Sequence, residues 1–143
     1  MLYDYFVAVD DAMAARTFTE PDTARCEGYP ELAVKGADPF FDLLPVEAVL
    51  TGRTIDEVEA DPAHCPVVEE VGDGEAVVLS LAESFRDGLA TADDDALRVA
   101  AVAFVERNER GAAEDLVAFL KELGALAQGA KADGHRLYCT VVV

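Results

Sequence analysis

The chain has 143 residues, of which 29 are Asp or Glu and 11 are Lys or Arg, for a formal net charge of −18. That balance argues against nucleic acid and anionic membrane surfaces as partners, since both are held by Lys and Arg neutralising phosphate. Apolar residues make up 52%, enough to argue against disorder and to fill the core of one domain over residues 1–143 without disulfides or a structural metal.

Leu2 to Val9 is rich in Tyr, Phe and Val and predicts a strand. Asp10 and Asp11 offer an N-cap for a short helix through Ala12 to Phe18. Residues 19–31, with Pro21, Gly28 and Pro30, read as a loop, and Leu32 to Lys35 as a brief strand ended by Gly36. Asp38-Pro39 opens the apolar segment Phe40-Phe41-Asp42-Leu43-Leu44. Pro45 suits the first turn of a helix to Leu50, and Gly52 its C-terminal stop. Thr54 and Glu57 have the spacing of a capping box, predicting a helix to about Ala60 that Asp61-Pro62 ends.

Val67 to Val71 and Ala76 to Leu79 flank Gly72-Asp73-Gly74 and predict a hairpin. Ser80 and Glu83 repeat the capping-box spacing before a helix to about Ala90. Asp93, Asp94 and Asp95 crowd the start of the next segment. There Leu97 to Val105 is apolar on nearly all sides and reads as a buried helix. From Ala112 to about Asp133, Leu116, Phe119, Leu120, Leu123 and Leu126 recur at helical steps, and Gly134 suits the stop. His135 to Val143 is a strand pattern whose apolarity calls for a central place in a sheet, beside the N-terminal strand. Strands near both ends and a middle hairpin, with helices between, predict an α+β fold. Its small mixed sheet would contain the N- and C-terminal strands, with helices mainly on one face.

The acidity is uneven: residues 1–70 hold 16 of the 29 acids but only four of the 11 basic residues. A field of that sign favours solubility and attracts basic partners. Three cysteines, Cys26, Cys65 and Cys139, form no disulfide framework. The start Met1-Leu2-Tyr3-Asp4 lacks the basic residues of a secretory leader, and no uncharged run approaches membrane-spanning length. A reducing cytoplasm is the expected setting.

Chemistry-bearing patterns are sparse. His64-Cys65 and His135 with Cys139 lack metal-ligand spacing, and Cys65 beside His64 has no third, orienting group for nucleophilic catalysis. Ser84 lies in a helical pattern, outside a nucleophile elbow. Asp93 to Asp95 lack the rest of a calcium loop and suit helix capping. No glycine-rich phosphate loop is present. Neither a cofactor nor a metal is expected. Arg53 and Arg136 could grip an anionic small molecule or simply neutralise carboxylates.

The chain resembles the YfbM-like family of uncharacterised bacterial proteins, domain of unknown function 1877. The resemblance rests on Tyr5-Phe6 in the first strand, the apolar segment closing Val49-Leu50-Thr51-Gly52, the long last helix, and the Gly and Leu-Tyr-Cys-Thr-Val-Val strand after it. It implies a fold class and carries no catalytic residues.

Two functional readings follow. The first is a non-enzymatic intracellular acidic protein that binds a basic protein partner, in the manner of a regulatory or immunity protein. The alternative is a small-molecule-binding or hydrolytic domain with a pocket near the N-terminal strand, lined by Tyr3, Tyr5, Phe40, Phe41 and Arg53 or Arg136. Ordinary core packing is the competing explanation of both aromatic stretches.

Overall fold

A computed structural model of residues 1–143 shows five strands and seven helices. The strands are β1 (Leu2–Ala8), β2 (Leu32–Lys35), β3 (Val67–Val71), β4 (Ala76–Ser80) and β5 (Arg136–Val142). They form one sheet in the order β2-β1-β5-β4-β3. The α+β class holds, and β5 is central with β1 beside it, where its apolar run is paired on both edges. The sheet, expected to be mixed, contains only antiparallel pairs. The helices between β4 and β5 return the chain to the end it left, placing Ser80 opposite Tyr138, so no parallel crossover arises.

The helices are α1 (Asp11–Ala14), α2 (Pro21–Ala24), α3 (Leu44–Thr51), α4 (Ile55–Ala60), α5 (Glu83–Thr91), α6 (Asp94–Asn108) and α7 (Ala113–Asp133). Strand alternation sends Tyr3, Tyr5 and Val7 of β1 and Leu137 and Cys139 of β5 to one face. There they meet Leu120, Leu123 and Leu126 of α7, Phe85 and Leu89 of α5, and Phe104 of α6 in the main core. Full burial of each such side chain stabilises the fold by roughly 1.5–3 kcal/mol. The other face buries a smaller apolar cluster, Phe6, Ala8, Val78 and Tyr138 with Ala14 and Phe18, beside the buried Ser80 and Thr140. Helices therefore lie mainly on one face, as the pattern predicted.

Local signals mark several boundaries. Thr54 and Glu57 form the expected reciprocal capping box on α4, and Asp93 caps α6 by accepting from Ala96 N–H at 2.8 Å. Gly134 ends α7 at φ 72, a left-handed conformation that glycine adopts without a Cβ clash. Gly88 has a different role. A Cβ there would stand 2.9 Å from the Leu50 carbonyl oxygen, so its absence permits the close approach of α5 to α3.

Three expectations are corrected. The first helix stops at Ala14, giving way to turns, and the loop after it contains the single-turn α2. Ser80 is no helix cap. It stays in β4, donating its N–H to Pro66, and Ala82 precedes α5 without a side-chain cap. Finally, α6 is not buried all round: Leu97, Ala100, Ala101 and Phe104 face the core while Val99 and Val102 face outward. No helix is long and apolar enough to cross a membrane.

Candidate functional site

The segment from Gly36 to Leu43, between β2 and α3, is built from local polar bonds. The Asp38 carboxylate accepts the Phe40 N–H at 2.8 Å, and the Asp42 carboxylate accepts the Asp38 N–H at 3.0 Å. Leu43 N–H returns to the Asp38 carbonyl at 3.0 Å. From outside, Arg110 pairs with Asp42 at 2.9 Å and Asn108 donates to the Asp42 carbonyl at 3.1 Å. Burial pushes the Asp38 carboxyl above its ordinary range, opposed by the Phe40 N–H that it accepts. The backbone is thus anchored on both sides, yet Phe40 and Phe41 are 48% and 56% exposed. The core explanation of this pair fails, and so does a shared pocket with the buried Tyr3 and Tyr5. The Arg107 guanidinium lies 5.7 Å from the Phe41 ring centre.

Phe40 is gripped from inside by His64. The two rings lie 5.1 Å apart and tilted by 30°. The His64 Nε2 is 2.8 Å from the Phe40 carbonyl oxygen, and Nδ1 is 3.2 Å from Glu47 Oε2. Both side chains of that ion pair are about 95% or more buried. A carbonyl only accepts, so Nε2 carries a hydrogen. A bare Nδ1 would then oppose a carboxylate lone pair, so both contacts of the ring are hydrogen bonds only when Nδ1 is protonated as well. The hydrogen bond to Glu47 raises the His64 pKa above its ordinary value, and burial works against it.

With both ring nitrogens engaged, His64 has no free base to offer a substrate. Cys65 beside it is buried, and that burial pushes its thiol far above the ordinary range, away from thiolate chemistry. Its backbone has φ 45, a left-handed conformation costing a non-glycine residue roughly 1–2 kcal/mol. The cluster is therefore a structural clamp on the Phe40 backbone.

Beyond Phe41 the apolar surface continues. Helix α3 packs on α6 and on α4, the latter through Leu44, Ala48 and Val58. Pro45, Ala48 and Val49 of α3, Ile55 of α4, and Ala103 and Arg107 of α6 line a shallow groove of about 440 Å³. Val49, Val99 and Val102 stand exposed at 37%, 58% and 41%. With Phe41 they are exposed apolar side chains on, or just before, the packed helices α3 and α6. On the same helices Asp56, Glu57 and Glu59 of α4, and Asp94, Asp95 and Glu106 of α6, are exposed carboxylates, and Arg98, beside Val99 and Val102, and Arg107 are exposed cations among them.

A second concavity, of about 490 Å³, lies against β1 and is lined by Tyr5, Phe6, Val7, Arg25, Cys26 and Tyr29 among others. Arg25 is already engaged there, with Asp4 at 2.7 Å, Thr17 at 2.8 Å and its guanidinium 4.3 Å from the centre of the Phe6 ring. Burial, followed by the hydrogen bond to Asp133, pushes the Tyr29 hydroxyl up to about 12.

The residues singled out from the sequence fall apart in space. Tyr3 and Tyr5 are in the core, the Tyr5 hydroxyl donating to the Ala37 carbonyl. Arg53 pairs with Asp61 at 2.8 Å and reaches Thr51 and Ser84. Arg136 donates to Ser80 Oγ at 3.2 Å, with Asp11 and Glu83 each 3.9 Å away. Neither arginine lines the cleft against β1. Sequence reading missed Glu47 altogether. The one signal it leaves is its isolation as an acid within the apolar run Leu43 to Leu50.

Compared with known proteins, the chain matches no family model, no curated protein and no solved structure.

Proposed function

We propose that this is a non-enzymatic intracellular protein that binds a basic protein partner through the exposed apolar side chains of Phe41, Val49, Val99 and Val102. The observation that carries this reading is the exposure of these apolar side chains, on two packed helices and at a phenylalanine whose neighbour Asp42 is held by Asn108 and Arg110. Preorganised aromatic anchors are the usual centres of binding energy at protein interfaces, because ordering them on association costs little. Charge supports the sign of the partner. Seven of the eleven Lys and Arg already sit within 4 Å of a carboxylate of this chain, so most of the surplus of acids is left unpaired, although Arg98 and Arg107 stand at the docking face itself. We also propose kinship with the YfbM-like family, on the sequence resemblance alone.

The test is capture of partners from host lysate by the tagged protein and by Phe41→Ser and Val102→Asp variants, at low and high salt. A basic protein held at low salt, released at high salt and lost from both variants is the expected result. Capture that ignores both the substitutions and the salt would sink the reading. The cleft against β1, whose volume suits a small ligand, supports a second reading as a small-molecule binder. A metabolite that raises the melting temperature of the wild type but not of Tyr29→Ala would favour it.

A further inference from the structure

We infer that the buried His64–Glu47 pair is a proton-dependent latch on the Phe40–Phe41 segment: with the shared proton in place it clamps the segment, and its loss lets the segment loosen. The inference concerns regulation of the docking face proposed above and rests on that reading for its purpose, though not for its mechanism.

The mechanism follows from two distances. The Nε2 hydrogen is committed to the Phe40 carbonyl at 2.8 Å, so Nδ1 faces Glu47 Oε2 at 3.2 Å and needs the second proton. Removing that proton sets two lone pairs against each other where water is nearly excluded. Buried polar groups left in that state cost far more than exposed ones. The ring can relieve the conflict by leaving Glu47, which surrenders the Phe40 carbonyl, or by changing tautomer so that the hydrogen sits on Nδ1 toward Glu47, which leaves a bare Nε2 against that carbonyl. Either change removes the hydrogen bond that grips the Phe40 carbonyl.

The surrounding charges are almost all acidic. Glu47 lies on α3, Asp38 and Asp42 before it, Glu59 on α4, and Asp61 and Cys65 after α4. Of the cations of the neighbourhood, Arg53 is paired with Asp61 and Arg110 with Asp42, while Arg107 lies over the Phe41 ring. Such a field favours the protonated pair and moves release to the alkaline side of an ordinary histidine. Held shut, the latch keeps the anchor ordered, and opening it adds an ordering cost to binding.

Glu47→Gln separates this device from a plain structural contact. The side-chain amide that this substitution introduces can donate to Nδ1 of a neutral His64, whose Nε2–H still reaches Phe40. The substituted pair then needs no extra proton and should clamp at any pH.

The experiment uses the protein alone, so its failure and failure of the docking reading are told apart. Imidazole nitrogen shifts of His64 and backbone order parameters of Phe40 and Phe41 are followed by NMR from about pH 5.5 to about pH 9. We expect the order parameters to fall from about 0.85 toward 0.6 with the same midpoint as His64, and Glu47→Gln to hold them constant. A His64 that keeps one protonation state over the whole range would overturn the latch. So would order parameters that ignore its titration, or a Glu47→Gln protein that still loosens. The wild-type titration is decisive even if that variant does not fold.

Discussion

Two aromatic pairs of this chain meet opposite fates. Tyr3 and Tyr5, two apart on β1, share one face of the sheet and are 7% and 1% exposed. Phe40 and Phe41, adjacent in a turn, remain about half exposed. Spacing accounts for much of the difference. Alternation on a strand sends i and i+2 to the same side, where α7 covers them. Consecutive turn residues diverge, so one layer of structure cannot cover both. The polar bonds of Asp38, Asp42, Asn108 and His64 then fix the backbone in a pose that hydrophobic burial alone would not choose.

Substitutions in the two pairs should therefore separate stability from binding. Tyr5→Ala carries the largest effect, a loss of roughly 3–5 kcal/mol in denaturant unfolding, because it opens a cavity beside Phe119. Tyr5→Phe keeps the packing and strips only the bond to the buried Ala37 carbonyl. About 1–2 kcal/mol should be lost in the same assay. A cost like that of Tyr5→Ala would mean the two tyrosine roles are not separable.

The pH response of the clamp should be smaller. The folded-state pKa of His64 is raised, so its stabilisation is complete below the ordinary value near 6.5 and disappears as pH rises through the folded value. Wild-type melting temperature should fall between about pH 6 and pH 9 more than that of Glu47→Gln. Parallel profiles would place the pH sensitivity elsewhere. Phe41→Ser should do least to the fold, within about 0.5 kcal/mol of wild type, while abolishing partner capture. A large stability loss would show that the ring is a core residue despite its exposure.

Local signals were legible wherever the chemistry was local. The strand Leu32–Lys35 ends at Gly36, the Thr54–Glu57 box starts α4, and α7 buries Leu120, Leu123 and Leu126 as its periodicity required. The same kind of signal failed at Ser80, because pairing of β4 with β5 and the Pro66 carbonyl claimed its backbone first. The candidate site was far less legible. His64 stood out as one of two histidines, but its partner Glu47 is 17 residues away and its other partner is a carbonyl, which every residue carries.

By itself, then, the sequence determined the segments, the acidity and the α+β class, because hydrophobic period, capping chemistry and charge count are properties of neighbours along the chain. Only the tertiary structure decided which apolar residues stay uncovered. Leu97 and Phe104 go inward while Val99 and Val102 on the same helix do not, since burial depends on what packs against each side. It likewise decided that a glutamate and a histidine from different elements meet at 3.2 Å under Phe40, a contact set by the packing of α3 against the end of α4 and carried by no local pattern.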